Sequence, residues 1–539
     1  MSQDLLRNLR ELFGCERRSD CDITFCRDES APNAEGSAAT EAVFGPPLPA
    51  HSVVLDLASE RFRTQFERWK PVSATAGGRP HLRIHLGSAA EEPAARAAIR
   101  FAYTGEVPAD SSVRQVLELR RQGAYLQISG CVAACDEVLA AKVSSSSRAT
   151  VASSHVEEEA PQQPPAVLEL FEFEVLWPDP QAEPSFGAIL ATGKRLLVAH
   201  FGNSLAALNT PSLREQLLAL PAVALEALLG SDEFGTDDEA SVLLMLAEWM
   251  RTNHHKAEPA VRQRLCRTVR LTHLSRPYLS LVLPALAADH EKDPEAPAGW
   301  FSGASILEAT FVTNFVSITE VERDWILSAG EASVPIPEVL KATPRPQCIP
   351  PSGGLTFNWH ITKEDLLKAV RELQPGSVEH VYCAFDGQPD DGVFAWGFEW
   401  CVYLQLTGGQ STAGLFLQCD LPIALEPPGS RLSREDTVTR NTTVPISTSL
   451  VVHRRQGAEV RDVKGLNSPG EFATVGISAT AGAAWGWPKM LPLKDQQRQQ
   501  QQDTMGNTVA VAADPLAAWL EYLTDGKVSG TLTLLVPSS

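Results

Sequence analysis

A chain of 539 residues is longer than one hydrophobic core normally serves, and a guide of about 150 residues per domain gives three or four folds. Its 66 acidic against 46 basic residues leave a formal charge of -20, which argues against a nucleic-acid surface because phosphate binding needs clustered Lys and Arg. The ten cysteines form no paired framework, Met1-Ser2-Gln3-Asp4 lacks the apolar core of a signal peptide, and apolar runs such as Leu279 to Ala288 fall short of the roughly 20 residues that span a bilayer. The expectation is reduced thiols, an intracellular chain and no membrane segment.

At the N-terminus, Leu5, Leu6, Leu9, Leu12 and Phe13 share one helical face. Asp22 to Phe25 alternates like a half-buried strand, Arg27 to Pro47 suits a long strand-to-strand excursion, and His81 to Leu86 alternates again. Pro93 is placed to start a helix and Gly105 to end one. Val113, Val116, Leu117, Leu126 and Ile128 carry the helical pattern to about Lys142. Residues 143–166, with Ser144-Ser145-Ser146-Ser147 and Glu157-Glu158-Glu159, cannot bury enough apolar surface to order themselves and read as a disordered linker. From Phe186 to Leu286 the pattern is helical, with stripes at Leu213, Leu217, Leu220, at Leu225, Leu228, Leu229 and at Val242, Leu243, Leu246, Trp249. Thr236 and Glu239 stand at capping-box spacing ahead of the third stripe. Residues 293–350 read as a connecting segment. Beyond them, 351–539 reads as β, with strands expected at 393–398, 401–406, 413–419, 447–453 and 531–536.

No phosphate-cradling loop, nucleophile elbow, dinucleotide fingerprint or zinc-protease helix occurs, so the chain reads as a non-enzyme without cofactor. Cys15, Cys21, Cys26, Cys131 and Cys135 form no C-x-x-C knuckle, and no metal site is expected. Cys131 and Cys135 lie one helical turn apart and suit a core stripe.

Three resemblances organise these elements. Cys21-Asp22-Ile23-Thr24-Phe25, Leu48-Pro49-Ala50-His51, Ser59-Glu60-Arg61-Phe62 and Tyr103-Thr104-Gly105 resemble the BTB/POZ domain over residues 1–142. Phe201-Gly202-Asn203, Leu228-Leu229-Gly230-Ser231-Asp232 and Trp249 resemble the BACK domain, placed at 167–292. Phe357-Asn358-Trp359-His360-Ile361, Phe398-Glu399-Trp400, Gly414-Leu415-Phe416-Leu417 and Trp485-Gly486-Trp487 resemble a MATH (TRAF-like) sandwich over 351–539. The implied fold class is multidomain α+β: an N-terminal α/β fold, a middle all-α region and a C-terminal, mainly β sandwich.

The BTB resemblance makes Asp22 and His51 fold markers. It assigns Leu5, Leu9 and Leu12 to a dimer interface or the core, and Phe62, Phe66, Trp69 and Tyr103 to a cullin-3 interface, with Phe62 and Tyr103 equally suited to the core. The chain starts too close to its first helix for the family's swapped strand. Arg68-Trp69-Lys70-Pro71 also lacks the hydrophobic-x-Glu motif of many cullin binders. The implied function is a substrate adaptor of a cullin-3-type ubiquitin ligase, cytoplasmic or nuclear, whose C-terminal β domain holds a protein substrate. The alternative is a BTB scaffold or transcriptional co-regulator without a part in ubiquitination.

Overall fold

The computed structural model describes residues 3–27, 43–68, 81–149, 165–330, 342–388, 391–432, 440–446, 448–456, 459–467, 471–477, 483–493 and 515–535. It mixes helices with sheets and divides into two compact units, Met1–His200 and Phe201–Ser539.

The first unit runs α1 (Gln3–Leu12), β1 (Cys21–Arg27), β2 (Val43–Ala50), α2 (Ser52–Ala58), α3 (Glu60–Arg68), β3 (His81–Leu86), α4 (Glu92–Thr104), α5 (Val113–Tyr125), α6 (Cys131–Ala149), α7 (Ala166–Glu172) and α8 (Pro184–Phe201). Its sheet has the order β2-β1-β3, with β1 antiparallel to β2 and parallel to β3. The alternation in β1 sends Cys21, Ile23 and Phe25 into the core, as a two-residue period requires. Gly105 ends α4 in the left-handed conformation, with its N–H on the Phe101 carbonyl at 2.7 Å. There Gly avoids the clash a Cβ would bring.

The expected linker starts too early. Cys131, Cys135, Leu139 and Val143 recur every four residues along α6 and are all fully buried, so the helix continues through the serines to Ala149. Residues 150–164 of that linker lie outside the described residues. The boundary at 167 also shifts, because α7 and α8 fall in the first unit. Buried Arg120 on α5 donates to Asp136 on α6 at 2.6 Å, and Ser185 on α8 donates to the same carboxylate at 2.9 Å. A buried charge needs such partners, and these tie three helices together.

The second unit begins with α9 (Ser204–Asn209), α10 (Pro211–Ala219), α11 (Ala222–Leu229), α12 (Glu239–Asn253), α13 (Pro259–Cys266), α14 (Leu283–Lys292), α15 (Ile306–Ser317) and α16 (Glu320–Gly330). The expected capping box is not formed. Asp238 caps α12 by accepting from Ala240 N at 2.8 Å, while Glu239 pairs with Arg345 at 2.9 Å. Arg345 also donates to the Leu229, Ser231 and Thr268 carbonyls. The supposed connecting segment 293–350 thus supplies two helices and a wholly buried guanidinium.

The β-rich part contains β4 (Leu355–Thr362), α17 (Lys363–Glu372), β5 (Val378–Tyr382), β6 (Ala384–Phe385), β7 (Gly392–Ala395), β8 (Phe398–Thr407), β9 (Thr412–Asp420), β10 (Arg440–Ile446), β11 (Thr448–Gln456), β12 (Glu459–Asn467), β13 (Glu471–Ile477), β14 (Ala483–Pro492), β15 (Leu523–Thr524) and β16 (Lys527–Leu534). One sheet has the order β12-β11-β16-β4-β6, another β14-β9-β8-β5, and β10 pairs with β13. The described pairings among these strands are antiparallel. The single strand expected at 393–398 is instead a hairpin, because Trp396 and Gly397 turn the chain at φ 52° and 80°. The glutamine run at 496–502 lies outside the described residues.

Candidate interaction surfaces

His51 is 5 % exposed and joins three parts of the first unit. Its N–H donates to the Tyr103 hydroxyl at 2.9 Å, its Nδ1 meets that hydroxyl at 3.2 Å, and its Nε2 meets the Arg17 carbonyl at 3.0 Å. Both ring nitrogens are occupied by structural partners. Asp22 is half-buried on β1 opposite Pro49 and His81. The carboxylate that orders this corner is Asp20, which accepts from Ser52 N at 2.7 Å and from the Ser52 hydroxyl. Burial pushes Asp20 upward, but the Ser52 hydrogen bonds outweigh it and hold the acid below its ordinary value.

Two proposed cullin anchors are corrected. Phe62 is fully buried and Tyr103 is 2 % exposed, and neither can fill a partner's pocket while it fills its own core. Phe66 is half-buried against that core, and Trp69 lies outside the described residues. Of the proposed dimer residues, Leu9 and Leu12 are half-buried, and the Leu5 side chain lies outside the described set. An apolar face that sequence pattern did not single out is on α2, where Val53 and Leu57 are 64 % and 72 % exposed and, four residues apart, point the same way.

In the second unit the β5-β8-β9 face carries an aromatic row. Tyr382 lies opposite Tyr403, and Tyr403 opposite Phe416. The Tyr403 and Phe416 rings stack at 5.3 Å and 10°, with Tyr382 and His380 at 5.4 Å and 4.8 Å from Tyr403. Glycines make room for Phe416: a Cβ on Gly414 would stand 2.6 Å from its ring, and one on Gly486 2.7 Å from its Cα. On β14 the Trp485 and Trp487 rings lie 6.2 Å apart. Gly486 stands opposite Phe416, so the two tryptophans lie on the other face of the sheet from the aromatic row; Trp487 remains 44 % exposed there and Tyr382 43 % on its own face.

This β-rich part is joined to the helices by buried polar groups. Asn209 Nδ2 donates to the Phe394 carbonyl at 2.8 Å, and Phe394 N returns a bond to Asn209 Oδ1 at 2.7 Å. The β7-β8 turn is held by Trp396 N on Asp237, Gly397 N on Ser241 Oγ at 3.0 Å, and the Tyr278 hydroxyl on the Gly397 carbonyl. Asp289 on α14 accepts from Ser430 Oγ at 2.7 Å and Arg431 N at 2.9 Å. Asp238 is pushed up to about 7, first by burial and then by the charges of Asp237 and Glu239. Sequence pattern alone did not single out Asn209, Asp237, Ser241 or Tyr278. Their only signal is polarity within an apolar helical stretch.

Among the described residues no helix is long and apolar enough to cross a membrane, and no group of three or more His, Cys, Asp and Glu is placed to hold a metal ion. No curated protein matches the chain. Residues 204–283 match the family BACK, described as BTB And C-terminal Kelch.

Proposed function

We propose that this protein is a non-catalytic substrate adaptor of a cullin-3-type ubiquitin ligase, acting in the cytoplasm or nucleus. The BACK match over residues 204–283 carries the reading, since such helices typically accompany that role. The first unit then serves as a BTB-type module. Its order of strand, strand, two helices and a third, parallel strand agrees with that assignment. It binds the cullin through α3, where Phe66 remains as an anchor, and self-associates through α1 and the exposed Val53 and Leu57 of α2. The second unit recruits a protein substrate on the aromatic row of Tyr382, Tyr403 and Phe416, whose ring pattern favours a MATH-like role. Such an adaptor accelerates ubiquitin transfer by raising the local concentration of substrate.

Titration of the purified full chain with the cullin-3 amino-terminal domain tests this. Saturable binding in the micromolar range is expected. Absence of binding there sinks the adaptor and leaves a BTB scaffold or co-regulator, a reading favoured by Arg68-Trp69-Lys70-Pro71 standing where many cullin binders carry hydrophobic-x-Glu.

A further inference from the structure

The sheet β14-β9-β8-β5 ends at β5, which pairs among the described residues with β8. Gly408 N donates to the Ser377 carbonyl and Cys383 N to the Val402 carbonyl, both at 2.9 Å. The two-residue alternation of an antiparallel ladder therefore turns the main-chain groups of Glu379 and Val381 toward β8, and those of Val378, His380 and Tyr382 outward. Every β5 residue except Val381 is exposed. The strand carries neither Lys nor Pro, two common devices for blunting such an edge.

A cleft of about 390 Å³ lies beside β5, walled by α17 and the end of β4. Its charged lining is Asp365, Glu372, Glu379 and Asp391 against Lys368. Asp365 accepts from Thr362 Oγ1 at 2.6 Å at the start of α17. Glu372, Glu379 and Asp391 are exposed, and none of the ion pairs among the described residues involves them. A sheet edge gives affinity without sequence choice, and the charges beside it supply the choice.

We propose that the outer edge of β5 takes up an extended, basic segment of a partner protein as an added strand, with Lys or Arg side chains entering the cleft among Glu372, Glu379 and Asp391. This goes beyond the adaptor reading, because the added strand uses main-chain groups at the edge of β5, whereas the aromatic row of Tyr382, Tyr403 and Phe416 is a set of side chains on one face of the sheet. The same carboxylates disfavour acidic peptides and nucleic acid.

Fluorescence anisotropy on the full chain tests it, with a short labelled peptide that alternates threonine and lysine. Saturable binding is expected, weakened about tenfold or more by the double substitution Glu372→Gln, Glu379→Gln and by N-methylation of alternate peptide amides, which removes strand addition without altering the protein. Trp487→Ala should leave it unchanged. A threonine-glutamate peptide should not bind. Lack of saturable binding, or equal binding of the N-methylated peptide, overturns the proposal. Cullin binding does not enter this readout, so either reading can fail alone.

Discussion

Single residues set the sharpest stability expectations. Arg345 and Glu239 are a buried pair, 0 % and 1 % exposed at their side chains, and removing one partner strands the other charge. Arg345→Ala should cost about 3–5 kcal/mol, read as a fall in the denaturation midpoint in urea. Gly397 sits at φ 80° with Tyr278 Oη only 2.5 Å from where a Cβ would go. Gly397→Ala combines a left-handed backbone with a clash and should cost more than about 2 kcal/mol in the same measurement. Asp238, raised to about 7 by burial, sets a pH dependence. A folded value above the unfolded one means that this group's contribution to stability is fully present below the unfolded carboxylate range and is lost as pH rises through about 7. Asp238→Asn keeps an oxygen for the Ala240 cap and removes that loss. It should therefore raise the melting temperature more at about pH 8 than at about pH 5.

At the scale of elements, α2 has one face in the core and one in water. Leu55 on its inner side is fully buried, whereas Val53 and Leu57 are exposed, so a charge on the outer face leaves the core intact. Val53→Asp with Leu57→Glu should change stability by no more than about 0.5 kcal/mol each and abolish the proposed self-association by sedimentation equilibrium. A variant that still dimerises would remove α2 from the interface. Element boundaries were the least legible feature of the sequence. The helix α6 continues through Ser144 and Ser145 because Val143 completes its buried stripe. Residues 393–398 read as one strand, since Val393, Phe394, Ala395, Trp396 and Phe398 are all apolar. The reversal comes from two positive φ angles at Trp396 and Gly397, stabilised by Asp237, Ser241 and Tyr278 from distant helices.

Across the whole molecule, the helical and β-rich parts expected as separate domains form one unit from Phe201. A fragment starting at residue 351 would expose the Phe394 to Phe398 turn and lose every helix-borne donor and acceptor that holds it. It should aggregate or melt broadly, whereas residues 201–539 should be soluble and unfold in one transition by calorimetry. Independent folding of 351–539 would show that the buried bonds at Asn209, Asp237 and Tyr278 are dispensable. The helical and strand periodicities, the Gly105 helix end, the acidic character and the BACK-matching stretch were legible in the chain alone, because these are properties of neighbours along it. That Phe62 and Tyr103 are core, that Arg345 lies inside the helices, that α7 and α8 belong to the first unit, and that β5 has an open edge beside carboxylates emerged only on folding. Burial and pairing are fixed by residues far apart in the chain, and no local spacing encodes which of two suitable partners a side chain will meet.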